Sequence, residues 1–213
     1  MKHEFENKKP EKFLTTWDGQ YEVFNWAEFL IGYPMPVFLI TTYKENSLPN
    51  ACLHSWSSFT GDGGGQFCVM GGIPIEYGHT IKDIMRNKEF CINFPNKDIW
   101  KNCKLTIENN KYEIDEITEN GLTVESAVTV NAPRIKECFL NLECTLEWVK
   151  PLYEGSRYCI VCGRIKHIAM DDEYFDQNKK GLYGENGYII NIHSPKNPLT
   201  GESLEYKLAY VKY

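Results

Sequence analysis

Two blocks of the chain carry residue types suited to holding a ligand. The first, Pro36 to Phe59, reads PVFLITTYKENSLPNACLHSWSSF. Two β-type runs flank a short polar turn, and the second run ends in Asn50-Ala51 and Ser55-Trp56-Ser57-Ser58. Such an ending offers backbone amides, hydroxyls and an indole N–H at the tip of a strand. The second block reads Thr80-Ile81-Lys82-Asp83-Ile84, then Glu89-Phe90-Cys91-Ile92-Asn93-Phe94-Pro95. It opens a helix with a Thr, and the unpaired N–H groups of a helix start favour a phosphate. Together the blocks suit a flat aromatic ligand with a phosphate tail, which is what a flavin is.

Other chemistries lack their residues. There is no Gly-x-Ser-x-Gly elbow, no His-Glu-x-x-His, and no Gly-x-Gly-x-x-Gly leading from a strand into a helix. The histidines at 3, 54, 79, 167 and 193 are too dispersed to be assigned as metal ligands. His54 and His79 adjoin the two ligand blocks and are read as structural. Asp171-Asp172 is read as a solvated turn. The run Gly61-Asp62-Gly63-Gly64-Gly65 lacks a following Lys-Ser or Lys-Thr and precedes a strand, so it is read as a hairpin loop. No catalytic acid, base or nucleophile is assigned, and no metal site.

The bulk properties narrow the class further. A chain of 213 residues, 42% hydrophobic and 24% charged, suits one domain able to bury a core. A net charge of -6 provides no basic stripe to neutralise nucleic-acid phosphates. No apolar run reaches membrane-spanning length, and the start MKHEFENKKPEKF has no signal-peptide character. The expected location is therefore the cytoplasm, with no nucleic acid or membrane as partner. In that compartment the eight cysteines are expected as free thiols. Cys159 and Cys162 lie three apart in a predicted strand, SRYCIVCGRI, and so point to opposite faces. They are read as small buried hydrophobes rather than a redox pair.

The elements that must position the blocks follow from periodicity. Strands are predicted at Val37 to Tyr43, Leu48 to Trp56, Phe67 to Met70 and Phe90 to Phe94, with a helix at Thr80 to Asn87. Thr80 and Asp83 resemble a capping pair. Residues 96–132 read as short helices and loops. Two long strands, Ile135 to Val149 and Arg157 to Ala169, form a hairpin about Tyr153-Glu154-Gly155-Ser156. In the first of them Leu140, Leu142, Cys144, Leu146 and Trp148 share one face, with Asn141, Glu143, Thr145 and Glu147 on the other. Strand-like pieces recur at Gly187 to Ile192 and Tyr206 to Lys212. Residues 1–35 form an aromatic-rich arm, with a short helix within Glu22 to Leu30, expected to pack on the core. Many strands and no βαβ alternation give a mainly β, α+β class: a β-barrel with short helical decorations.

These blocks carry a family resemblance. The chain resembles the flavin reductase-like proteins with an FMN-binding split barrel, particularly the flavoredoxin branch. The resemblance rests on Pro36-Val37-x-Leu39-Ile40-Thr41-Thr42 with Asn50-Ala51 and Ser55-Trp56, and on Thr80-x-x-x-Ile84 with Glu89-Phe90-x-x-Asn93-x-Pro95. Gly121-Leu122-Thr123, Ala132-Pro133-x-Ile135 and Leu142-Glu143-Cys144 then follow in the family's order. It implies a single domain over residues 1–213, a split β-barrel of Greek-key type, forming a homodimer. It implies FMN, rather than FAD, held by Asn50 and Trp56, with Thr80 near the polar tail. The amides of Ala51, Cys52 and Leu53 would face the pyrimidine edge, and Ser55, Ser57 and Ser58 the ribityl and phosphate oxygens. The implied activity is a flavin reductase-type oxidoreductase using NADH or NADPH. An electron carrier fed by a redox protein partner, or a non-catalytic flavin-binding module, is the alternative. Where the family has Asp-Lys-Phe before Gly-Leu-Thr, this chain has Asp115-Glu116-Ile117. Either Arg157 or Lys111 is expected to restore the positive charge, or Glu116 is expected to point to solvent.

Overall fold

The computed structural model describes residues 8–14, 34–175, 187–191 and 199–202, together with residues 2, 4, 6, 197, 208 and 209. The chain divides into two compact units: residues 36–189 with 210–213, and residues 1–35 with 190–209.

The larger unit is built on β1 (Phe38–Tyr43), β2 (Pro49–His54), β3 (Ser57–Asp62), β4 (Gly65–Pro74), α1 (Thr80–Asn87), β5 (Glu89–Phe94) and α2 (Trp100–Glu108). It continues with β6 (Val124–Ser126), β7 (Pro133–Ile135), β8 (Leu140–Pro151) and β9 (Tyr158–Met170). Seven of the strands form one sheet in the order β2-β1-β5-β8-β9-β4-β3, and its described pairings are antiparallel. The two edge strands, β2 and β3, are consecutive in the chain and joined only by Ser55 and Trp56. Two residues cannot span an open seven-stranded sheet, so the sheet must curl until its edges meet at Trp56. At that corner the Gly71 N–H donates to the Trp56 carbonyl at 2.9 Å.

β1 is buried on both faces, which suits the run of β-branched and aromatic residues FLITTY. On one face Phe38 and Ile40 join the main core with Phe90, Ile92, Met70, Val161 and the apolar side of α1. On the other, Leu39 and Ala51 meet Cys103 of α2 with Ile117, Leu122 and Ile135. The β1–β2 hairpin is therefore clamped between two cores. A polar knot fixes its register: Asn93 Nδ2 donates to the Leu39 carbonyl at 3.2 Å and to Thr41 Oγ1 at 2.9 Å. The Asn93 Oδ1 accepts from the Ile135 N–H and the Asn141 amide.

Most predicted elements stand close to their expected places, and the differences have physical causes. β3 lay in a stretch too polar to read as a strand; five of its six residues are exposed. β4 runs through the expected short strand to Pro74, and Gly63-Gly64 turn the hairpin as expected. The long strand predicted from Ile135 is broken: β7 ends at Ile135 and β8 starts at Leu140. The polar face of β8 is not wholly solvated. Asn141 is buried, and Glu143, with no exposed surface, accepts from the N–H groups of Val128 and Thr129 and from the Thr129 hydroxyl. Those bonds hold the Glu143 carboxyl below the usual carboxylate range despite its burial. Cys159 packs in the main core, as does Val161, while Cys162 takes the opposite face of β9. All eight cysteines are free.

In the smaller unit, β10 (Ile190–Asn191) pairs antiparallel with β11 (Leu208–Ala209), and Phe13 is buried. These are the described parts of the two strands expected near the C-terminus. The helix expected within Glu22 to Leu30, and most of the N-terminal arm, lie outside the described residues.

Candidate functional site

The first half of β2 is tied to the start of α1, and the same strand runs on to the Ser55-Trp56 corner. Asn50 is buried, 2% exposed, and its Nδ2 donates to Thr42 Oγ1 at 3.1 Å and to Thr80 Oγ1 at 3.2 Å. Thr42 and Asn50 face one another across the β1–β2 ladder, and Thr80 is the first residue of α1. The Thr80 side chain also lies where it draws the Cys52 thiol's pKa down, Cys52 being two residues along the same face of β2. Burial is the larger influence on Cys52, and it pushes the thiol up, so the group is not a ready thiolate.

α1 begins differently from the predicted capping pair. His79 is its N-cap and gives no side-chain cap bond; the first intrahelical bond runs from the Asp83 N–H to the His79 carbonyl at 2.9 Å. The amides of Thr80, Ile81 and Lys82 precede that bond and have no intrahelical acceptor. The Thr80 hydroxyl, expected near a ligand's polar tail, is engaged inside the fold. Asp83 instead accepts from the Thr42 hydroxyl at 3.1 Å and pairs with Arg86 at 2.8 Å.

Of the β2 amides expected to face a ligand, Ala51 is already committed. Its N–H donates to Glu116 Oε2 at 3.2 Å, because β2 is an edge strand and Ala51 points outward from it. Strand alternation turns the Leu53 N–H to the same open edge and the Cys52 N–H toward β1. Leu53 therefore keeps the outward amide on this strand nearest the corner.

Glu116 corrects the expectation built on the charge reversal. It is 1% exposed rather than solvent-facing, and its counter-charge is neither Arg157 nor Lys111 but Lys44. Lys44 Nζ donates to Glu116 Oε1 at 2.9 Å and to the carbonyls of Lys111 and Ile114 at 2.7 and 2.8 Å. Burial pushes the Glu116 carboxyl up, against the opposing pull of Lys44 and the Ala51 amide. Lys44 sits in a Lys-Glu-Asn-Ser stretch that reads as an exposed turn. Only the fold, by laying residues 111–116 across it, makes it a buried cation.

At the corner, the half-buried Trp56 ring packs on Gly72, where an added Cβ would stand 3.4 Å from the indole. Gly72 has φ +69°, a conformation that favours glycine. His54 Nε2 lies 3.2 Å from the Trp56 carbonyl and also meets the backbone of Gly71. Burial lowers its pKa to about 4, so it is a neutral latch on the corner. Ser57 Oγ donates to the Ser55 carbonyl at 3.4 Å, and Ser58 is exposed on β3. Arg157 stands apart from this group, half exposed and paired with Glu76 at 3.2 Å, on the segment that leads into α1. Beside it Tyr77 and Tyr158 join through their hydroxyls at 2.8 Å. Among the described residues no cluster of His, Cys, Asp or Glu has the makings of a metal site. No helix among them is long and apolar enough to cross a membrane.

An indole beyond the strand end, an outward amide at Leu53 and the first amides of α1 are groups suited to a flat ligand with an anionic end. The chain belongs to the flavin reductase family: the family's "flavin reductase like domain" matches residues 30–188. Its fold is that of the split-barrel flavin reductases. It is similar to nitrilotriacetate monooxygenase component B from Bacillus cereus, with a TM-score of 0.75 and 16% identity, covering 100% of this chain and 98% of that one. It is also similar to the flavoredoxin of Desulfovibrio vulgaris (Miyazaki F), with a TM-score of 0.65 and 17% identity over 92% and 93% of the two chains. An FMN-binding protein from Thermus thermophilus with bound p-hydroxybenzaldehyde gives a TM-score of 0.64 and 13% identity over 91% and 93%.

Proposed function

We propose that this chain binds FMN at the Trp56 corner and acts as an oxidoreductase of flavin reductase type, with NADH or NADPH as electron donor. The observation that carries the reading is the first turn of α1 tied to β2 by the Asn50–Thr80 bond, on the strand whose outward amide at Leu53 leads to Trp56. The donor set fits a flavin. The nearest carboxylates, Asp83 and Glu116, are paired with Arg86 and Lys44 and present no unpaired negative charge. What remains is an indole face, the Leu53 amide and the amides of Thr80 to Lys82, which suit an electron-rich ring with an anionic tail.

FMN, when bound, supplies the hydride and electron chemistry. The chain's own residues bind and orient. Trp56 provides a flat wall and an N–H donor. The amide of Leu53 offers a fixed dipole to the ring edge. Arg157, half exposed and paired with Glu76, is the cation that the family resemblance offers to a phosphate. Because no side chain needs to exchange a proton in this scheme, a site without a catalytic acid or base is sufficient. The homodimer and the cytoplasmic setting belong to the same proposal.

The test is anaerobic mixing of the FMN-loaded protein with NADH or NADPH while the flavin's visible absorption is followed. Bleaching by either nicotinamide supports the reading. Bleaching only by a reduced ferredoxin-like protein would replace the nicotinamide donor with a protein one and make the chain an electron carrier.

A further inference from the structure

The seven-stranded sheet has two edges, and the chain treats them differently. The β2 edge is plugged. The Glu116 N–H donates to the Pro49 carbonyl at 3.1 Å, and the Glu116 carboxylate accepts from the Ala51 N–H at 3.2 Å. One buried residue thus takes the place of a neighbouring strand. The β3 edge is bare. Five of its six residues are exposed, and among the described residues no strand lies beyond it. Its sequence, Ser-Ser-Phe-Thr-Gly-Asp, has no Lys, Arg or Pro to keep another strand away.

That edge presents a fixed set of groups. The Trp56 carbonyl accepts from the Gly71 N–H beside β4, and the β3–β4 register runs without a bulge from Ser57 to Asp62. Alternation therefore turns the N–H and C=O groups of Ser58, Thr60 and Asp62 toward β4, and those of Ser57, Phe59 and Gly61 outward. Phe59, at the middle, is 39% exposed, yet its ring is held against Phe38 and Phe94 with centroids 6.3 and 5.7 Å away. The turn beyond β3 points the same way. A Cβ added at Gly63 would meet nothing within 4 Å, and its φ is not left-handed, so nothing within the chain asks for a glycine there.

We propose that β3 pairs antiparallel with β3 of a second copy of this chain, about a two-fold axis at Phe59. That centring employs all three outward residues. Phe59 faces Phe59 of the partner subunit and Ser57 faces Gly61 of the partner subunit, each pair exchanging two hydrogen bonds. Ser58 then stands opposite Thr60 of the partner subunit, with Cα atoms about 4.5 Å apart. The charges allow it: the Asp62 carboxylates, the only charges on the paired strands, fall about 20 Å apart at opposite ends. Carried past Asp62, the register brings the Gly63-Gly64 turn of one copy to the Ser55-Trp56 corner of the other, where a side chain at Gly63 would intrude. The pairing gives the homodimer of the functional reading its interface, and it rests on that reading only in setting this turn beside the ligand.

Sedimentation velocity over a concentration series compares wild type with two double variants at exposed positions, Ser58→Glu with Thr60→Glu, and Ser58→Lys with Thr60→Glu. Wild type should be dimeric at micromolar concentration. In the first variant like charges face each other twice, so its dimer should be weaker by about tenfold or more. In the second, opposite charges face each other, and the dimer should hold as in wild type or more tightly. Air oxidation tests the register. Ser58→Cys with Thr60→Cys should give a disulfide-linked dimer on a non-reducing gel, and either change alone should not, because its two copies stand two residues out of line. The proposal is overturned by a monomeric wild type, by a like-charged variant as dimeric as wild type, by equal loss in both charge variants, or by single cysteines that cross-link as well as the pair. FMN titration of wild type in the same state keeps the two readings apart. A dimer that takes up no FMN overturns the functional reading and leaves the pairing; a monomer that binds FMN does the reverse.

Discussion

Replacing Lys44 by Met removes a buried cation while keeping most of its aliphatic bulk. In the native structure the ammonium satisfies one Glu116 oxygen and the carbonyls of Lys111 and Ile114. The variant leaves a carboxylate that is 1% exposed with only the Ala51 N–H for company, and it leaves two carbonyls short of a donor. Breaking one side of a buried pair costs about 3–5 kcal/mol, mostly the uncompensated charge. In a chain of this size that corresponds to a loss of roughly 6–20 °C in Tm. The double change Lys44→Met with Glu116→Leu removes the stranded charge as well, so it should cost less than Lys44→Met alone, by about 1–3 kcal/mol. Urea unfolding of the apoprotein followed by tryptophan fluorescence measures both. The Lys44→Met deficit should shrink as pH falls toward 4, because burial raises the folded carboxyl above its unfolded value and a protonated Glu116 needs no cation. FMN affinity should fall with stability in the single variant, since Glu116 fixes the open edge of β2 through Ala51. A Lys44→Met cost below about 1 kcal/mol, or strict additivity in the double variant, would refute the reasoning.

Other expectations are more local. A Cβ at Gly163 would stand 2.3 Å from Phe90 Cζ, inside the ring of a fully buried residue, so Gly163→Ala should destabilise by about 2–3 kcal/mol in the same urea assay. His54 has a folded pKa of about 4 against an ordinary 6.5, so its neutral form is favoured by folding; the stability this gives is complete above 6.5 and lost as pH falls toward 4. The loss is at most about 3 kcal/mol, and the fall between pH 7 and 4 should be correspondingly shallower in His54→Gln. Trp56→Ala should weaken FMN binding by roughly ten- to a hundredfold, read by fluorescence titration, because the corner loses its flat wall and an N–H. An unchanged Kd in a folded Trp56→Ala variant would make the indole a piece of core and nothing more.

What the sequence displayed and what it concealed divide along a physical line. Residues 38–54, 80–87 and 89–94 were legible because β-branched runs and an apolar helical stripe are local signals. The contact of Asn50 with Thr80 was legible only as two blocks; its hydrogen-bond order depends on how α1 lies on β1 and β2. β3 was missed because an exposed edge strand needs no apolar alternation. Lys44, Glu116 and Glu143 were misjudged for a shared reason. A charged residue reads as exposed until a distant segment supplies its partners: residues 111–116 for Lys44, and the loop at Val128 and Thr129 for Glu143. Thr80 was assigned to the ligand because a Thr at a helix start suggests a phosphate. The structure engages its hydroxyl inside the fold, as acceptor from the Asn50 amide.

The central claim, that this chain holds FMN, is tested most directly by purifying it, recording its visible spectrum and identifying the flavin released on denaturation. The account predicts a yellow protein, or an apoprotein that takes up FMN to one per chain with its fluorescence quenched, and release of FMN rather than FAD. A colourless protein that leaves the fluorescence of added FMN and FAD unchanged would contradict it.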